Sequence, residues 1–268
     1  MASIIYIGTS GYSYEDWKNY FYPEDLDKKE YLGYYGTIFN TVELNFTYYC
    51  FPNPYTFLNL SKKVKEDFVF SVKANSVFTH QREYSNDDLK TFLQSLKPLY
   101  DCGKLGSILF QFPWSFKAVK NNFDYLKRIG EDFKGFDSCV EFRNNCWTAD
   151  NKAVELLSSI NMGFCNVDEP QIEGLLPATS ISTSDIGYLR FHGRNGQCWW
   201  EHEQAYQRYD YMYNQDELIE WIPRVNEINN NTKKSFIYFN NHYRAKAAKS
   251  ALIFLDLLKS NNIATSQN

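Results

Sequence analysis

The fold class the sequence predicts is a parallel (β/α)8 barrel of the TIM type, and three observations carry that prediction. Short apolar runs alternate with helix-like stretches eight times, within the length of roughly 250 residues usual for such a barrel. Every apolar run ends in polar or charged residues, as expected where strand ends converge on one mouth. The turn after the first run, Gly8-Thr9-Ser10-Gly11, lacks the Gly-x-Gly-x-x-Gly spacing that a doubly wound sheet would be expected to carry.

The units follow in order. Ile4 to Ser10 is the first strand, followed by an aromatic loop from Tyr12 to Tyr22 and a helix from Lys29 to Phe39. Thr41 to Asn45 is the second strand, with a Tyr- and Pro-rich loop from Phe46 to Pro54 and a helix from Tyr55 to Val64. Phe68 to Lys73 is the third; its loop carries His80, and Ser85 with Asp88 three residues on caps a helix reaching Leu96. Leu105 to Phe112 and the helix Phe116 to Ile129 form the fourth unit. The fifth strand lies in the stretch Val140 to Trp147, with a helix from Asp150 to Ile160 behind it. Gly163 to Asp168 is the sixth strand, but Glu169 to Ile186 is rich in Pro, Ser and Thr, so the sixth helix is degraded. Gly187 to Gly193 is the seventh strand, and a long aromatic loop, Arg194 to Tyr213, separates it from a helix over Asp216 to Asn229 capped by Asn214 and Glu217. Ser235 to Asn241 and the helix Arg244 to Lys259 complete the set, giving a single domain over 1–268.

A net charge of −4 provides no global field for nucleic acid or an anionic membrane, although the aromatic loop has the character of a base- or sugar-stacking surface. Six scattered cysteines without a Cys-x-x-Cys pair read as reduced thiols of a cytoplasmic protein. The N-terminal residues lack a basic leader, and no apolar run approaches the roughly 18 residues of a membrane span, so no membrane partner is expected.

Side chains alternate along a strand, so residues two apart share a face. The mouth then gathers Thr9, Glu43 with Asn45, Lys73 with Asn75, Gln111, Glu141 with Arg143, Asn166 with Asp168, Arg190 with His192, and Tyr238 with Asn240. Three acids face three cations. A structural ion-pair network is one explanation, but apolar filling would serve stability better, and charges in a barrel mouth usually serve binding or chemistry. Glu141 is the first choice for a general acid or base, with Glu43 beside it and His192 with Asp168 as a second acid–base pair. Arg143 and Arg190 offer forks suited to phosphate or carboxylate, and Lys73 either binds an anion or, if desolvated, forms a Schiff base. Asn45, Tyr48, His80, Gln111, Trp147, Asn240 and Asn241 complete the expected substrate-binding set.

Seven motifs, among them Thr41-Val42-Glu43-Leu44-Asn45, Phe110-Gln111-Phe112-Pro113, Val140-Glu141-Phe142-Arg143, Arg190-Phe191-His192-Gly193-Arg194, Arg208-Tyr209-Asp210-Tyr211 and Phe239-Asn240-Asn241, resemble the DUF72 family, also called YecE-like. The resemblance runs from the first strand to the last helix and implies a TIM-type barrel, without supplying a reaction. Cys50 stands where the family pattern has arginine, and Ala245 and Ser250 stand where glycine and asparagine are more usual.

The expected function is a metal-independent enzyme acting on a small anionic, sugar-phosphate or nucleotide-phosphate substrate. The alternatives are a divalent ion held by Glu43, Glu141, Asp168 and His192, and a non-catalytic nucleotide- or nucleic-acid-binding module. The sequence leaves the oligomeric state open.

Overall fold

The structure is a computed structural model that describes residues 3–267. Eight parallel strands form one sheet: β1 (Ile4–Thr9), β2 (Thr41–Leu44), β3 (Val69–Lys73), β4 (Leu105–Gln111), β5 (Ser138–Glu141), β6 (Gly163–Asp168), β7 (Ile186–Phe191) and β8 (Lys234–Phe239). Sequence neighbours pair from β2 round to β8, and β1 pairs with β8. The sheet curls until its two edges, β1 and β2, meet through a bridge between Ser10 and Glu43. This is the (β/α)8 architecture, and it matches the expected strand order.

Helices α1 (Tyr31–Tyr35), α2 (Pro54–Ser61), α3 (Asn86–Asp101), α4 (Lys120–Asp132), α5 (Lys152–Ser159), α6 (Gln215–Ile219) and α7 (Ile222–Asn230) lie between the strands in sequence, and α8 (Lys246–Ser260) follows β8. Outward-facing Ile5, Ile7, Val42, Leu44, Phe70, Val72, Ile108, Phe110 and Val140 are buried, as expected for strands covered on both faces. The expected caps are in place: Ser85 Oγ accepts from the Asp88 amide at 3.1 Å, and Asn214 Oδ1 accepts from the Glu217 amide at 2.9 Å.

Some boundaries move. The fifth strand ends at Glu141 and passes into a 3-10 turn, Asn145–Thr148, instead of running on towards Trp147. The helix expected over 216–229 is broken into α6 and α7, with Pro223 in the first turn of the second. The fourth helix starts at Lys120, not Phe116, because Phe116 packs inward with its ring stacked on Phe112 at 4.1 Å. The stretch after β6 contains no helix among the described residues.

Inside the barrel, rings and hydroxyls fill the space beneath the mouth. Tyr238 Oη lies 2.6 Å from Thr41 Oγ1 and 2.9 Å from Ser71 Oγ, Tyr188 packs 5.5 Å from the Tyr238 ring, and Tyr6 stacks on Phe236 at 5.2 Å. The buried phenols of Tyr238 and Tyr188 each have a hydrogen-bond partner, so burying them costs little. At the β1–β2 seam, a side chain stands in for part of the ladder. The Tyr35 hydroxyl accepts from the Thr9 amide at 2.9 Å and donates to the Thr41 carbonyl at 3.0 Å. Gly8 lets the strands come this close, since a Cβ there would lie 2.2 Å from the Thr41 oxygen.

Candidate functional site

Period-two alternation carries charge up the barrel wall from β2, β5 and β7. Glu43 on β2, Glu141 on β5 and Arg190 on β7 point inward and are buried. Arg190 spans the two acids, with Nη1 2.6 Å from Glu141 Oε2 and Nη2 2.7 Å from Glu43 Oε1. Glu43 also accepts from Tyr188 Oη at 2.8 Å, and Ser10 Oγ accepts from Arg190 Nη2 at 3.3 Å. One step higher, Arg143 Nε lies 2.6 Å from Glu141 Oε1, and His192 Nε2 lies 3.3 Å from the same oxygen.

This placement sets the ionisation of the cluster. Burial pushes the Glu141 carboxyl up, but Arg143, Arg190 and His192 outweigh it and hold the group well below the usual carboxylate range. Glu141 is therefore held as an anion, its Oε2 bonded to Arg190 and its Oε1 close to Arg143 and His192 without a formed hydrogen bond. Asn240 Nδ2 donates to His192 Nδ1 at 3.1 Å, which leaves the ring proton on Nε2, facing Glu141. Burial, with Arg143 beside it, lowers the His192 pKa to about 3, so the ring is neutral.

The sixth strand corrects the expected register. Cys165 faces the interior, its Sγ 3.8 Å from Glu141 Oε2, so Val167 and Glu169 share its face while Asn166 and Asp168 point outward. Asp168 accepts from Tyr213 Oη at 2.5 Å, Trp221 Nε1 at 2.7 Å and Arg194 Nη2 at 2.7 Å. It anchors the loop after β7 to α7, and His192 pairs with Asn240 instead. The third mouth acid is Glu169, which was not anticipated. Its Oε2 lies 3.4 Å from Arg143 Nη1, and its Oε1 accepts from the Leu176 amide at 3.1 Å. Burial, against the pull of Arg143 and with the repulsion of Glu141, raises its pKa to about 7.

At the rim, Lys73 Nζ donates to Gln111 Oε1 at 2.8 Å and lies 4.5 Å from the centroid of the Tyr48 ring. Burial and the nearby Arg190 lower its pKa to about 8, against the pull of Glu141 and Glu43. His80 meets the Tyr48 ring edge-on at 5.0 Å, and burial followed by Lys73 and Arg143 lowers its pKa to about 4. Asn45 Oδ1 is buried at the end of β2 without a hydrogen-bond partner.

Two other expected residues leave the mouth. Trp147 is 1 % exposed, stacked on Phe142 at 4.1 Å, with its indole N–H donating to the Phe116 carbonyl at 2.6 Å, so no face remains for a ligand. Asn241 points outward, donating to the Tyr211 carbonyl at 2.9 Å and to Ser250 Oγ at 3.2 Å. Its reach is to the loop after β7, which it holds in place.

That loop folds back over the mouth. A cavity of about 270 Å³ lies between His80, Gln111, Trp114 and Arg143 on the barrel side and Trp199, Trp200, Arg208 and Tyr209 on the loop side. Trp200 meets Trp114 edge-on at 5.9 Å, and Arg208 lies 5.6 Å from the Trp199 ring. Arg208 has no acid within 4.0 Å among the described residues, and its Nε is buried without a partner. The four residues considered for a divalent ion do not converge, because Asp168 faces away and Glu43 and Glu141 are held by Arg190. Among the described residues no group of three or more His, Cys, Asp or Glu side chains is placed to hold a metal.

The family model described as "Protein of unknown function DUF72" matches residues 6–268. The chain belongs to the DUF72 family. UPF0759 protein YunF of Bacillus subtilis (strain 168) is 34% identical over 270 residues, covering 95% of each chain. The crystal structure of the DUF72 family protein TM1631 from Thermotoga maritima MSB8 superposes with a TM-score of 0.88 at 37% identity, covering 96% of this chain and 99% of that one. The DUF72 family protein EF0366 from Enterococcus faecalis V583 gives a TM-score of 0.85 at 27% identity, covering 96% of both chains. In this DUF72 barrel the three positions that the resemblance singled out, Cys50, Ala245 and Ser250, have distinct surroundings. Cys50 is exposed. Ala245 adopts a left-handed φ of 58°, a conformation that favours glycine, and Ser250 is the partner of Asn241. No helix among the described residues is long and apolar enough to cross a membrane.

Proposed function

We propose that this DUF72 barrel is an enzyme that takes a small anionic, ring-bearing substrate into the cavity under the loop after β7. The observation that carries this reading is the pairing, around one concavity, of Arg143 and the acid-free Arg208 with Trp199, Trp200 and Tyr209. Guanidinium forks bind phosphate or carboxylate, and indole and phenol faces pack against a sugar or planar ring. A volume of about 270 Å³ lies at the small end of ligand sites and favours a sugar phosphate over a nucleotide.

In this reading Glu141 is a positioning residue, since its charge fixes Arg143 and Arg190. The proton-carrying groups are those at the rim, Lys73 and His80, which border the same Tyr48 ring. The chemistry is independent of a metal, because the mouth carboxylates are already matched by arginines.

The test is the melting temperature with ribose 5-phosphate, glucose 6-phosphate, AMP, short oligonucleotides, Mn²⁺ and Zn²⁺. A ligand at 100 times its dissociation constant stabilises by about 2.7 kcal/mol, a shift of several degrees. The phosphorylated sugars are expected to raise the melting temperature, and R208Q to abolish that rise without moving the unliganded value. Stabilisation by metal alone would sink the proposal. So would oligonucleotide binding that weakens steeply with salt.

A further inference from the structure

We propose that Lys73 is a nucleophile that joins its Nζ to the carbonyl carbon of an anionic aldehyde or ketone, as a Schiff base. The inference rests on the enzyme reading above and narrows the substrate to a carbonyl compound bearing phosphate or carboxylate. The case begins with a contrast between two lysines. Lys104 is buried and tied down, donating to the Ser61 and Val64 carbonyls at the end of α2 at 2.8 and 3.2 Å, which fixes it as a helix cap. Lys73 stands at the C-terminal end of β3, where barrel side chains meet substrate. No carboxylate lies within ion-pair distance of it among the described residues, although Glu43 and Glu141 are nearby in the same mouth. Those acids are spent on Arg190 and Arg143, which leaves Lys73 a neutral amide acceptor, Gln111, and the face of Tyr48.

An amine that is partly desolvated beside other cations, without an acid to hold its proton, is the recognised condition for an imine-forming lysine. The lowered pKa of about 8 is consistent with this placement. Gln111 also lines the cavity, so the amine adjoins the space where Arg143 and Arg208 would hold the anionic end. In the step itself, the deprotonated Nζ forms a C–N bond as the carbonyl π bond breaks. The oxygen takes up a proton through solvent to give a carbinolamine, whose protonated hydroxyl then leaves as water as the nitrogen lone pair forms the C=N bond. Ketone plus lysyl ammonium therefore gives protonated imine plus water, with no oxidant or reductant consumed.

The experiment is borohydride trapping on the intact protein with pyruvate and with glyceraldehyde 3-phosphate, followed by peptide mapping. Lys73 is expected to be labelled at least ten-fold faster at pH 8 than exposed Lys62, with a rate that rises through pH 8. K73R is expected to lose the label at this position while melting normally. The mapping is done on the native protein, so it stands even if a variant misfolds. Labelling of Lys73 no faster than Lys62 overturns the inference. If sugar phosphates still raise the melting temperature in that case, the anion-binding reading survives and only the covalent step is lost.

Discussion

Glu141 sits within 2.6 Å of two guanidinium groups, and that proximity decides what a substitution there does. Removing its charge leaves Arg190 with Glu43 alone and Arg143 with the more distant Glu169. E141Q is expected to cost about 3–5 kcal/mol in urea unfolding at pH 7, as for other broken buried pairs. A loss below about 1 kcal/mol would mean that the arginines find other partners. Two neighbours give opposite pH dependence. His192 falls from its ordinary 6.5 to about 3, so below pH 6.5 the unfolded chain takes up a proton that the native state refuses, and stability is lost as pH falls. Glu169 rises from 4.5 to about 7, so its contribution is present below 4.5 and is lost as pH rises towards 7. Between 4.5 and 6.5 the two slopes oppose each other. E169Q is expected to gain stability relative to the wild type by about 1 kcal/mol per pH unit across that window, read by denaturation at several pH values. Parallel curves would mean that Glu169 titrates normally. At this scale the shared face of Glu141 and Arg143 was readable from spacing alone. The Asp168–Glu169 choice was not, because every residue of β6 is buried and an apolar pattern without an exposed face carries no phase.

Among the elements, capping chemistry was the most legible feature, since Ser85 with Asp88 and Asn214 with Glu217 are local pairs whose geometry the chain dictates over three residues. The β1–β2 seam was invisible for the opposite reason. It depends on a hydroxyl delivered by α1 between two strands that do not complete a regular ladder. Y35F keeps the ring and its packing but strips the Thr9 amide of its acceptor. The expected loss is about 1–3 kcal/mol, the cost of a buried unsatisfied donor, together with faster hydrogen exchange at the Thr9 amide. An unchanged exchange rate would show that the strands close on each other without the hydroxyl.

For the whole molecule, eight alternating units were enough to name the barrel, whereas the cavity was beyond reach because one wall comes from a loop folding back. That loop was marked by its length and aromatic content, but its course is set by distant contacts: the Tyr206 ring stacked on Tyr243 at 4.5 Å, the Asp210–Lys246 ion pair and the Asn241 bond to the Tyr211 carbonyl. Arg208 gains its place opposite Arg143 only once these are made. The lower part of the β1–β2 seam is held by the far end of the chain. Ser266 donates its amide to the Ile5 carbonyl at 2.8 Å, Gln267 Nε2 donates to the Ile7 carbonyl at 3.1 Å, and Asn40 Nδ2 donates to the Ser266 carbonyl at 2.8 Å. Residues beside the first two strands thus wait for partners that leave the ribosome more than two hundred positions later. Until those residues emerge the sheet is an open ribbon with a free edge on each side, and closure into a cylinder waits on chain made long after the first two strands.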